Sequence, residues 1–392
     1  MNKFIPYGRQ DISKDDINSV VDVLNSDFLT QGPNVPQFEN TVKEYCGSKY
    51  AVAVNSATSA LHIACLSLEL GKGDILWTSP ISFVASSNAA LYCGASVDFV
   101  DIDFNTNNIS ISELKKKLMH AEQGGFLPKI VMPVHMGGFS CDMEEIYKLS
   151  KKYNFKIIED ASHAIGAKYK NQPVGSCRFS DVTIFSFHPV KIITTGEGGM
   201  ALTNNEELFN KMDILRTHGI TRNKALMTNR DEGDWYYEQI DLGLNYRMTE
   251  MQAALGNSQM QRLDDFVLKR NEHAIFYHNT LSNLNISLPA EDPLIYSSYH
   301  LFIIKLNSRC PAKRRVVFDF MKKNNIGVNV HYIPIHLQPF YKKLNFQRGD
   351  FLVSEAYYDS AISIPLYSHI DQESLDKVSS VLSDAIQLVD QG

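Results

Sequence analysis

The stretch that decides the fold runs from Asp181 to Thr203 and reads DVTIFSFHPVKIITTGEGGMALT. Two apolar runs, at residues 182–187 and 199–203, predict a pair of buried strands. Lys191 stands alone between them, because no other lysine or arginine occurs from residue 179 to residue 210. A lysine enclosed between buried strands is costly unless its amine is used. We therefore interpret Lys191 as a candidate reactive amine, with an ordinary surface lysine as the alternative.

Strands and helices alternate upstream of this stretch. Short apolar runs predict strands at residues 50–54, 74–78, 97–101, 129–135 and 156–160, with helical patterns between them. Such alternation predicts right-handed βαβ units and a mostly parallel mixed sheet covered by helices, which is an α/β fold. Ligands of these sheets bind at the carboxyl ends of the strands. Residues 55–58, 80–83, 160–163 and 186–191 are therefore expected at one edge.

The pattern changes in a long helical segment that starts at Thr249 and continues to about Leu281. We place a domain boundary there, with a large domain over 1–258 that includes an N-terminal helical segment. Residues 259–392 then form a small C-terminal α+β domain, with a predicted strand at 327–332. The N-terminal helix, predicted over 11–26, carries one apolar face made of Ile17, Val20, Val21 and Leu24.

Composition limits the classes of partner. A net charge of −6 and a pI near 6.1 argue against nucleic acid. No run approaches the ~20 apolar residues of a membrane span, and the N-terminus has no apolar signal region. The six cysteines are scattered without a CxxC pair, which favours free thiols in the cytoplasm. His331 and His336 lack carboxylate or cysteine ligands at fixed spacing, so no metal site is predicted.

Three further motifs fall on the predicted edge, and each has a structural alternative. Asp160 ends a predicted strand, where it either caps the next helix or pairs with a protonated heterocyclic nitrogen. The small residues around Ala57 and Thr58 either form an ordinary helix cap or let backbone N–H groups bind a phosphate. Phe83 is either core or a ring that stacks on a flat cofactor.

Taken together, these residues describe a pocket for pyridoxal phosphate (PLP). Lys191 would bond covalently to the cofactor, and Asp160 would keep its ring nitrogen protonated. Ala57, Thr58 and Ser186 would hold the phosphate.

Nearly the whole chain resembles the DegT-type sugar-nucleotide aminotransferases, which have the fold-type I, aspartate aminotransferase-like architecture. Four segments carry the resemblance: NSATSAL at 55–61, EDASHA at 159–164, FSFHPVK at 185–191 and LNYR at 244–247. Within the family, His163 and the segments HPVK at 188–191 and VHY at 330–332 are similar to the branch that acts in pseudaminic acid synthesis.

The resemblance implies roles for further residues. His163 is expected against the cofactor, near its ring hydroxyl. Asn245, with Arg247 nearby, is expected to reach the phosphate or the substrate of the neighbouring subunit, in a homodimer with shared active sites. Four residues match positions that line the nucleotide-sugar site of relatives, although each could be an ordinary loop residue: Thr30, Gln31, His331 and Tyr332.

The implied reaction moves an amino group from L-glutamate to the 4-keto carbon of a UDP-linked 2-acetamido-4-keto-6-deoxy sugar. A different 4-keto or 3-keto sugar nucleotide is one alternative. A dehydratase of the same fold, in which histidine replaces the lysine, is another. The third is a non-catalytic PLP-binding regulator. The presence of Lys191 at the motif position favours an aminotransferase over the dehydratase.

Overall fold

The computed structural model describes residues 4–229 and 233–391. Within these ranges the α-helices are α1 (Lys14–Leu24), α2 (Asn34–Cys46), α3 (Ala57–Ser67), α4 (Ala85–Tyr92), α5 (Ile111–Gly124), α6 (Met143–Tyr153), α7 (Glu206–Leu215), α8 (Glu250–Met260), α9 (Leu263–Leu281), α10 (Pro311–Lys323), α11 (Pro339–Lys342), α12 (Leu352–Ser360) and α13 (Gln372–Asp390). The strands are β1 (Tyr50–Val54), β2 (Ile75–Thr78), β3 (Ser96–Phe99), β4 (Ile130–Met132), β5 (Lys156–Asp160), β6 (Lys168–Tyr169), β7 (Gln172–Pro173), β8 (Val182–Ser186), β9 (Gly199–Thr203), β10 (Ile220–Thr221), β11 (Glu238–Gln239), β12 (Ile286–Ser287), β13 (Ile295–Tyr296), β14 (Phe302–Leu306) and β15 (Ala361–Ile364).

A seven-stranded sheet with the order β1-β9-β8-β5-β4-β2-β3 forms the centre of the molecule. The pairs β2/β3, β2/β4, β4/β5 and β5/β8 are parallel, whereas β9 runs antiparallel to both β8 and β1. Six strands therefore point the same way and only β9 is reversed. This arrangement confirms the predicted mostly parallel mixed sheet and brings the carboxyl ends of β1, β2, β5 and β8 to one edge.

Helices cover both faces of this sheet because successive side chains of each strand point to opposite sides. On β8, Val182 and Ile184 pack in a core cluster with residues of α3, α4 and α7. Phe185, from the same strand, packs in a different cluster with residues of α2, α8 and α9. Both β8 and β9 are buried along their whole length, as the two apolar runs of the central stretch predict.

A second core surrounds the three-stranded antiparallel sheet β12-β14-β15. Residues of α10, α13 and the second half of α9 pack in it, together with Ile5 near the N-terminus. The first half of α9, with Leu263 and Phe266, packs instead in the core that contains Phe185. The domain boundary placed at residues 258 and 259 remains a prediction.

One expectation about local structure is wrong. Residues 327–332 do not form a strand, because their backbone groups pair with two different segments and not along one neighbouring strand. The N–H of Gly327 donates to Ile5 O, and Asn329 forms an isolated bridge with Ser363. The apolar face of α1 does not face the core of the chain, since Ile17 is 55% and Leu24 56% exposed.

The inner side of α1 is held by polar contacts. The Asp16 carboxylate, fully buried, accepts hydrogen bonds from Ser258 Oγ (2.6 Å), Gln259 Nε2 (2.7 Å) and Arg262 Nη2 (2.6 Å). These hydrogen bonds, and the ion pair with Arg262, offset the free-energy cost of burying the charge of Asp16. Within the described ranges, no helix has both the length and the apolar character that crossing a membrane demands.

Candidate active site

Lys191 lies in the loop between β8 and β9, at the edge where the parallel strands end. Its backbone N–H bonds His188 O at 2.9 Å, which closes a turn. The residue keeps some exposure, but its amine is surrounded by protein, and among the described residues no hydrogen bond or ion pair engages it. Desolvation lowers the pKa of this amine to about 8, and the charge of Asp160 opposes the fall. Both protonation states are therefore accessible near neutral pH, as a proton-transfer group requires.

Asp160 is held at the end of β5 by contacts on its backbone and side chain. Its carboxylate accepts the Ser86 hydroxyl at 2.6 Å and the Ser162 N–H at 3.2 Å, and the residue is 5% exposed. Ser82 and Ser86 share a hydrogen bond of 2.6 Å, so the donor is itself fixed. In the described ranges no cation lies within ion-pair distance of Asp160. A buried carboxylate without a cation suits a ligand that brings one, such as a pyridinium nitrogen.

The proposed phosphate cradle lies at the N-terminus of α3. Ser56 is the N-cap, and its Oγ accepts the Ser59 N–H at 3.1 Å. Ala57 and Thr58 are the first helical residues, whose N–H groups have no acceptor within a helix and favour an anion. The ordinary cap and the phosphate site therefore coexist, because the side chain of Ser56 accepts the N–H of Ser59 and leaves those of Ala57 and Thr58 free for an anion.

Gly199 brings β9 against this helix terminus. A Cβ at this position would lie 2.4 Å from the Ala57 nitrogen and 2.6 Å from its Cα, so only glycine permits the approach. Gly199 is also the register partner of Ser186 on β8, which places that buried residue beside the cradle. The structure thus brings together three of the predicted phosphate ligands, Ala57, Thr58 and Ser186.

His163 follows β5 and is buried beside an aromatic residue from the C-terminal part of the chain. Its Nδ1 accepts the Gly137 N–H at 3.3 Å, and its Nε2 lies 3.2 Å from Tyr332 Oη. Desolvation, and then the charge of Lys191, lower the pKa of His163 well below its usual value. The imidazole is therefore neutral with its proton on Nε2, so it can support a ring hydroxyl without adding charge.

Phe83 is 59% exposed, which excludes the core alternative for this residue. Its ring lies 6.2 Å from that of Tyr332. The Tyr332 ring thus links Phe83 and His163, from different parts of the sheet edge, into one aromatic wall. Burial raises the pKa of Tyr332, with Asp160 as the next cause, so its phenol stays protonated.

Three other residues that the resemblance implies have no hydrogen bond or ion pair with Lys191 among the described residues. His331 is buried, and its ring nitrogens contact Ser363 Oγ (2.8 Å) and Asn329 Nδ2 (3.3 Å). Thr30 and Gln31 lie in an exposed loop before α2, and no contact in the described ranges joins them to Lys191. Their substrate contacts remain predictions, as does that of His331.

Residues 245–247 lie beside the cradle of their own chain. Asn55 N–H donates to Tyr246 O at 2.9 Å, and Arg247 forms an isolated bridge with Val54 at the end of β1. Asn245 is exposed. These contacts fix the backbone that carries the side chains of Asn245 and Arg247.

Sequence reasoning missed several residues that shape this site. Ser86 holds Asp160 from 74 positions upstream, and the His300 ring packs 4.4 Å from that of His163. Neither position follows a recognisable motif, since Ser86 lies within a predicted helix and His300 within a strand predicted over residues 299–306. Gly199 could have been found, because a glycine that opens a buried strand often marks a close backbone approach.

The donor set fits PLP. Among the described residues, neither the Lys191 amine nor the buried Asp160 carboxylate forms an ion pair, and both lie at the same edge as helix N–H groups that favour a dianion. Such a combination defines a PLP-binding enzyme of the lysine-anchored type.

The comparisons with known proteins agree. The sequence profile of the DegT/DnrJ/EryC1/StrS aminotransferase family matches residues 10–383, so the chain belongs to this family. The UDP-4-amino-4,6-dideoxy-N-acetyl-beta-L-altrosamine transaminase of Campylobacter jejuni (serotype O:23/36) is 38% identical over 393 residues, which cover 99% of each protein.

Two solved structures extend the likeness. PseC of Helicobacter pylori, an aminotransferase involved in the biosynthesis of pseudoaminic acid, has a TM-score of 0.89 at 31% identity, covering 98% of this chain and 100% of that one. Spr1654 of Streptococcus pneumoniae, assigned as a sugar aminotransferase and solved in its PLP form, has a TM-score of 0.90 at 28% identity, covering 99% and 100%. The protein is thus a PLP-dependent sugar aminotransferase with a fold-type I architecture.

When bound, PLP supplies an electron sink that acidifies a carbon–hydrogen bond of the attached amino compound. The chain supplies the remaining functions. Lys191, with its lowered pKa, would accept and return the proton. Asp160 would hold a proton on the ring nitrogen, and the N–H groups of Ala57 and Thr58 would bind the phosphate.

Proposed function

We propose that this enzyme transfers the amino group of L-glutamate to C4 of a UDP-linked 2-acetamido-4-keto-6-deoxy sugar, in the pseudaminic acid pathway of the cytoplasm. The observation that carries the proposal is the 38% identity to the Campylobacter jejuni transaminase across 99% of both chains. The likeness to Helicobacter pylori PseC supports the same pathway.

The site geometry is compatible with this substrate class. Neutral His163 and the protonated phenol of Tyr332 form an uncharged, hydrogen-bonding wall beside Lys191. The exposed ring of Phe83 leaves the site open to solvent on one side, as a bulky sugar nucleotide needs. Buried polar groups of this kind discriminate strongly between substrates that do and do not satisfy them.

The test is a panel of keto sugar nucleotides, assayed with L-glutamate and read by NMR for the configuration at the new amine. The panel pairs UDP with dTDP, 2-acetamido with 2-hydroxyl, and 4-keto with 3-keto. We expect the UDP-linked 2-acetamido-4-keto-6-deoxy sugar to give the highest kcat/KM. A higher kcat/KM for a dTDP or 3-keto substrate would assign the enzyme to another sugar of the same family.

We also propose that the enzyme is a homodimer in which each active site receives Asn245 and Arg247 from the partner. Two exposed apolar surfaces support assembly with a second copy. One is the outer face of α1, with Ile17, Val21 and Leu24. The other is the segment that precedes Asn245, whose exposed apolar side chains include Leu242 at 82%. Patches of this kind usually mark an interface.

A complementation experiment tests the shared site. Lys191→Ala chains and Asn245→Ala/Arg247→Ala chains are each expected to be inactive. After subunit exchange, heterodimers contain one intact site, so part of the activity should return. Heterodimers that form, as mass measurement shows, but stay inactive would contradict the sharing of residues and would leave the reaction itself unaffected.

A further inference from the structure

A short turn over residues 136–139 holds the ring of His163. The Gly137 N–H donates to His163 Nδ1 at 3.3 Å. A nitrogen that accepts this bond carries no proton, so the proton of the neutral ring resides on Nε2. The position of one backbone N–H therefore decides which nitrogen of His163 can donate to a ligand.

Asn108 fixes this turn through both polar atoms of its side-chain amide. The Met136 N–H donates to Asn108 Oδ1 at 2.8 Å, and Asn108 Nδ2 donates to Phe139 O at 2.9 Å. The amide thus bonds the first and the last residue of the turn, once as acceptor and once as donor. Asn108 is buried, so removal of its amide would leave two polar backbone groups without a partner away from solvent.

The loop that carries Asn108 is itself anchored by a lysine of the C-terminal sheet. Lys305, on β14, donates to Asn107 Oδ1 at 2.9 Å, to Asn105 O at 3.2 Å and to Phe104 O. The residue is buried, and a buried amine is costly unless such acceptors surround it. Asn108 is therefore presented to the turn by a loop that is fixed in place.

The opposite side of the turn is closed by the segment that contains Ser298. The N–H groups of Ser298 and Leu301 donate to Gly138 O and Gly137 O, both at 3.2 Å, and Ser298 Oγ donates to His163 O at 2.9 Å. Gly138 has a φ of +96°, and a Cβ on it would lie 3.0 Å from His163 O. The turn is thus confined between His163 and this segment, and Asn108 closes the remaining side.

We propose that Asn108 is a positioning residue of the transamination. It holds the turn so that the Gly137 N–H occupies the lone pair of His163 Nδ1, which keeps the Nε2–H as the donor to the ring hydroxyl of PLP. This role rests on the placement of His163 against that hydroxyl, and it is independent of the sugar that receives the amine.

The test uses the PLP-loaded full-length enzyme labelled with ¹⁵N-histidine, in which solid-state NMR reads the protonated nitrogen of each imidazole. A His163→Gln sample identifies the signals of His163. In the wild type we expect a protonated Nε2 and an unprotonated Nδ1. In Asn108→Ala the ratio of Nε2–H to Nδ1–H tautomers should fall at least about five-fold, equivalent to ~1 kcal/mol, the typical net contribution of one hydrogen bond.

Two further variants make this result specific. Asn105→Ala is the matched control, because Asn105 lies in the same loop with an exposed side chain, and it should keep the tautomer of the wild type. Asn108→Leu keeps the approximate volume of the side chain and removes both hydrogen bonds. It should shift the ratio in the same direction as Asn108→Ala, and it supplies the measurement if the alanine variant does not fold.

The absorbance of bound PLP across pH gives a second readout. A donor to the ring oxygen stabilises its anion and lowers the pH at which the absorbance changes. Weaker donation by His163 in Asn108→Ala should therefore raise that midpoint, and Asn105→Ala should leave it unchanged. A wild-type His163 protonated on Nδ1, or an unchanged tautomer ratio or midpoint in a folded Asn108 variant, would overturn the role of Asn108. No sugar substrate enters either measurement, so neither result bears on the proposed substrate.

Discussion

The lowered pKa of Lys191 leads to a quantitative prediction for the enzyme freed of PLP. The ordinary lysine value of 10.5 falls to about 8, a change of about 2.5 units. At 1.36 kcal/mol per unit this corresponds to about 3.4 kcal/mol of stabilisation of the neutral amine relative to the ammonium. At pH 8 about half of the Lys191 amines should be neutral, whereas an ordinary lysine is neutral in fewer than about one molecule in a hundred.

Competitive labelling measures this difference directly. A short pulse of acetic anhydride is applied to the apoenzyme across neutral to alkaline pH, and peptides are quantified by mass spectrometry. The readout is the pH at which the reactivity of Lys191 reaches half its plateau, compared with exposed Lys72 in the same sample. We expect that midpoint near pH 8 for Lys191.

The variant Asp160→Asn tests the electrostatic effect of the carboxylate on the pKa of Lys191. The carboxylate opposes the effect of burial on Lys191, so removing its charge disfavours the ammonium and should move the midpoint to still lower pH. Asp22→Asn, at an exposed carboxylate on α1, should leave the midpoint unchanged. A Lys191 midpoint above pH 10, or a rise in Asp160→Asn, would refute the reasoning.

Three further predictions concern the loaded enzyme. In Asp160→Asn, loss of the charge that holds the pyridinium proton should reduce kcat by at least ~100-fold, or ~2.7 kcal/mol, in steady-state assays; a near-normal kcat would exclude the role. Gly199→Ala should push the new Cβ into Ala57 and raise the PLP dissociation constant at least ~10-fold by fluorescence titration, whereas Gly8→Ala, with open space around it, should not. Lys191→Ala should lose all turnover and still bind pyridoxamine phosphate in calorimetry; failure to bind would show that the variant had lost the pocket as well as the amine.

The sequence predicts the sheet and its edge well, because both depend on local signals. The apolar runs around Lys191 form β8 and β9, and Asp160 ends β5, as the strand patterns indicate. Parallel strands bring their carboxyl ends together whatever the loops contain, so the meeting of Lys191, Asp160 and the Ala57 helix terminus follows from topology alone.

Contacts between distant segments could not be predicted in this way. Tyr332 reaches His163 across 169 positions, and the hydroxyl of Ser86 reaches Asp160 across 74. Neither contact follows from periodicity, since each depends on how segments far apart in the chain are placed at the edge of the sheet. The family resemblance indicated Tyr332, whereas nothing in the sequence distinguished Ser86 from other helix serines.

The apolar face of α1 is a pattern that the sequence does predict, although the sequence does not show what the face contacts. Periodicity correctly groups Ile17, Val21 and Leu24 on one side of the helix, but it cannot tell a core from an interface. In the single chain this face is exposed, and the buried side is held by the charge of Asp16. In the homodimer proposed above, a second copy of the chain would cover this face.

The central claim, that Lys191 is the amine on which the aminotransferase reaction depends, has one direct measurement. The PLP-loaded enzyme is reduced with borohydride and digested, and the pyridoxyl group is located by mass spectrometry. We predict that the label lies on Lys191 and that brief exposure to L-glutamate before reduction removes it. A label on any other lysine, or one that L-glutamate leaves in place, would contradict the assignment.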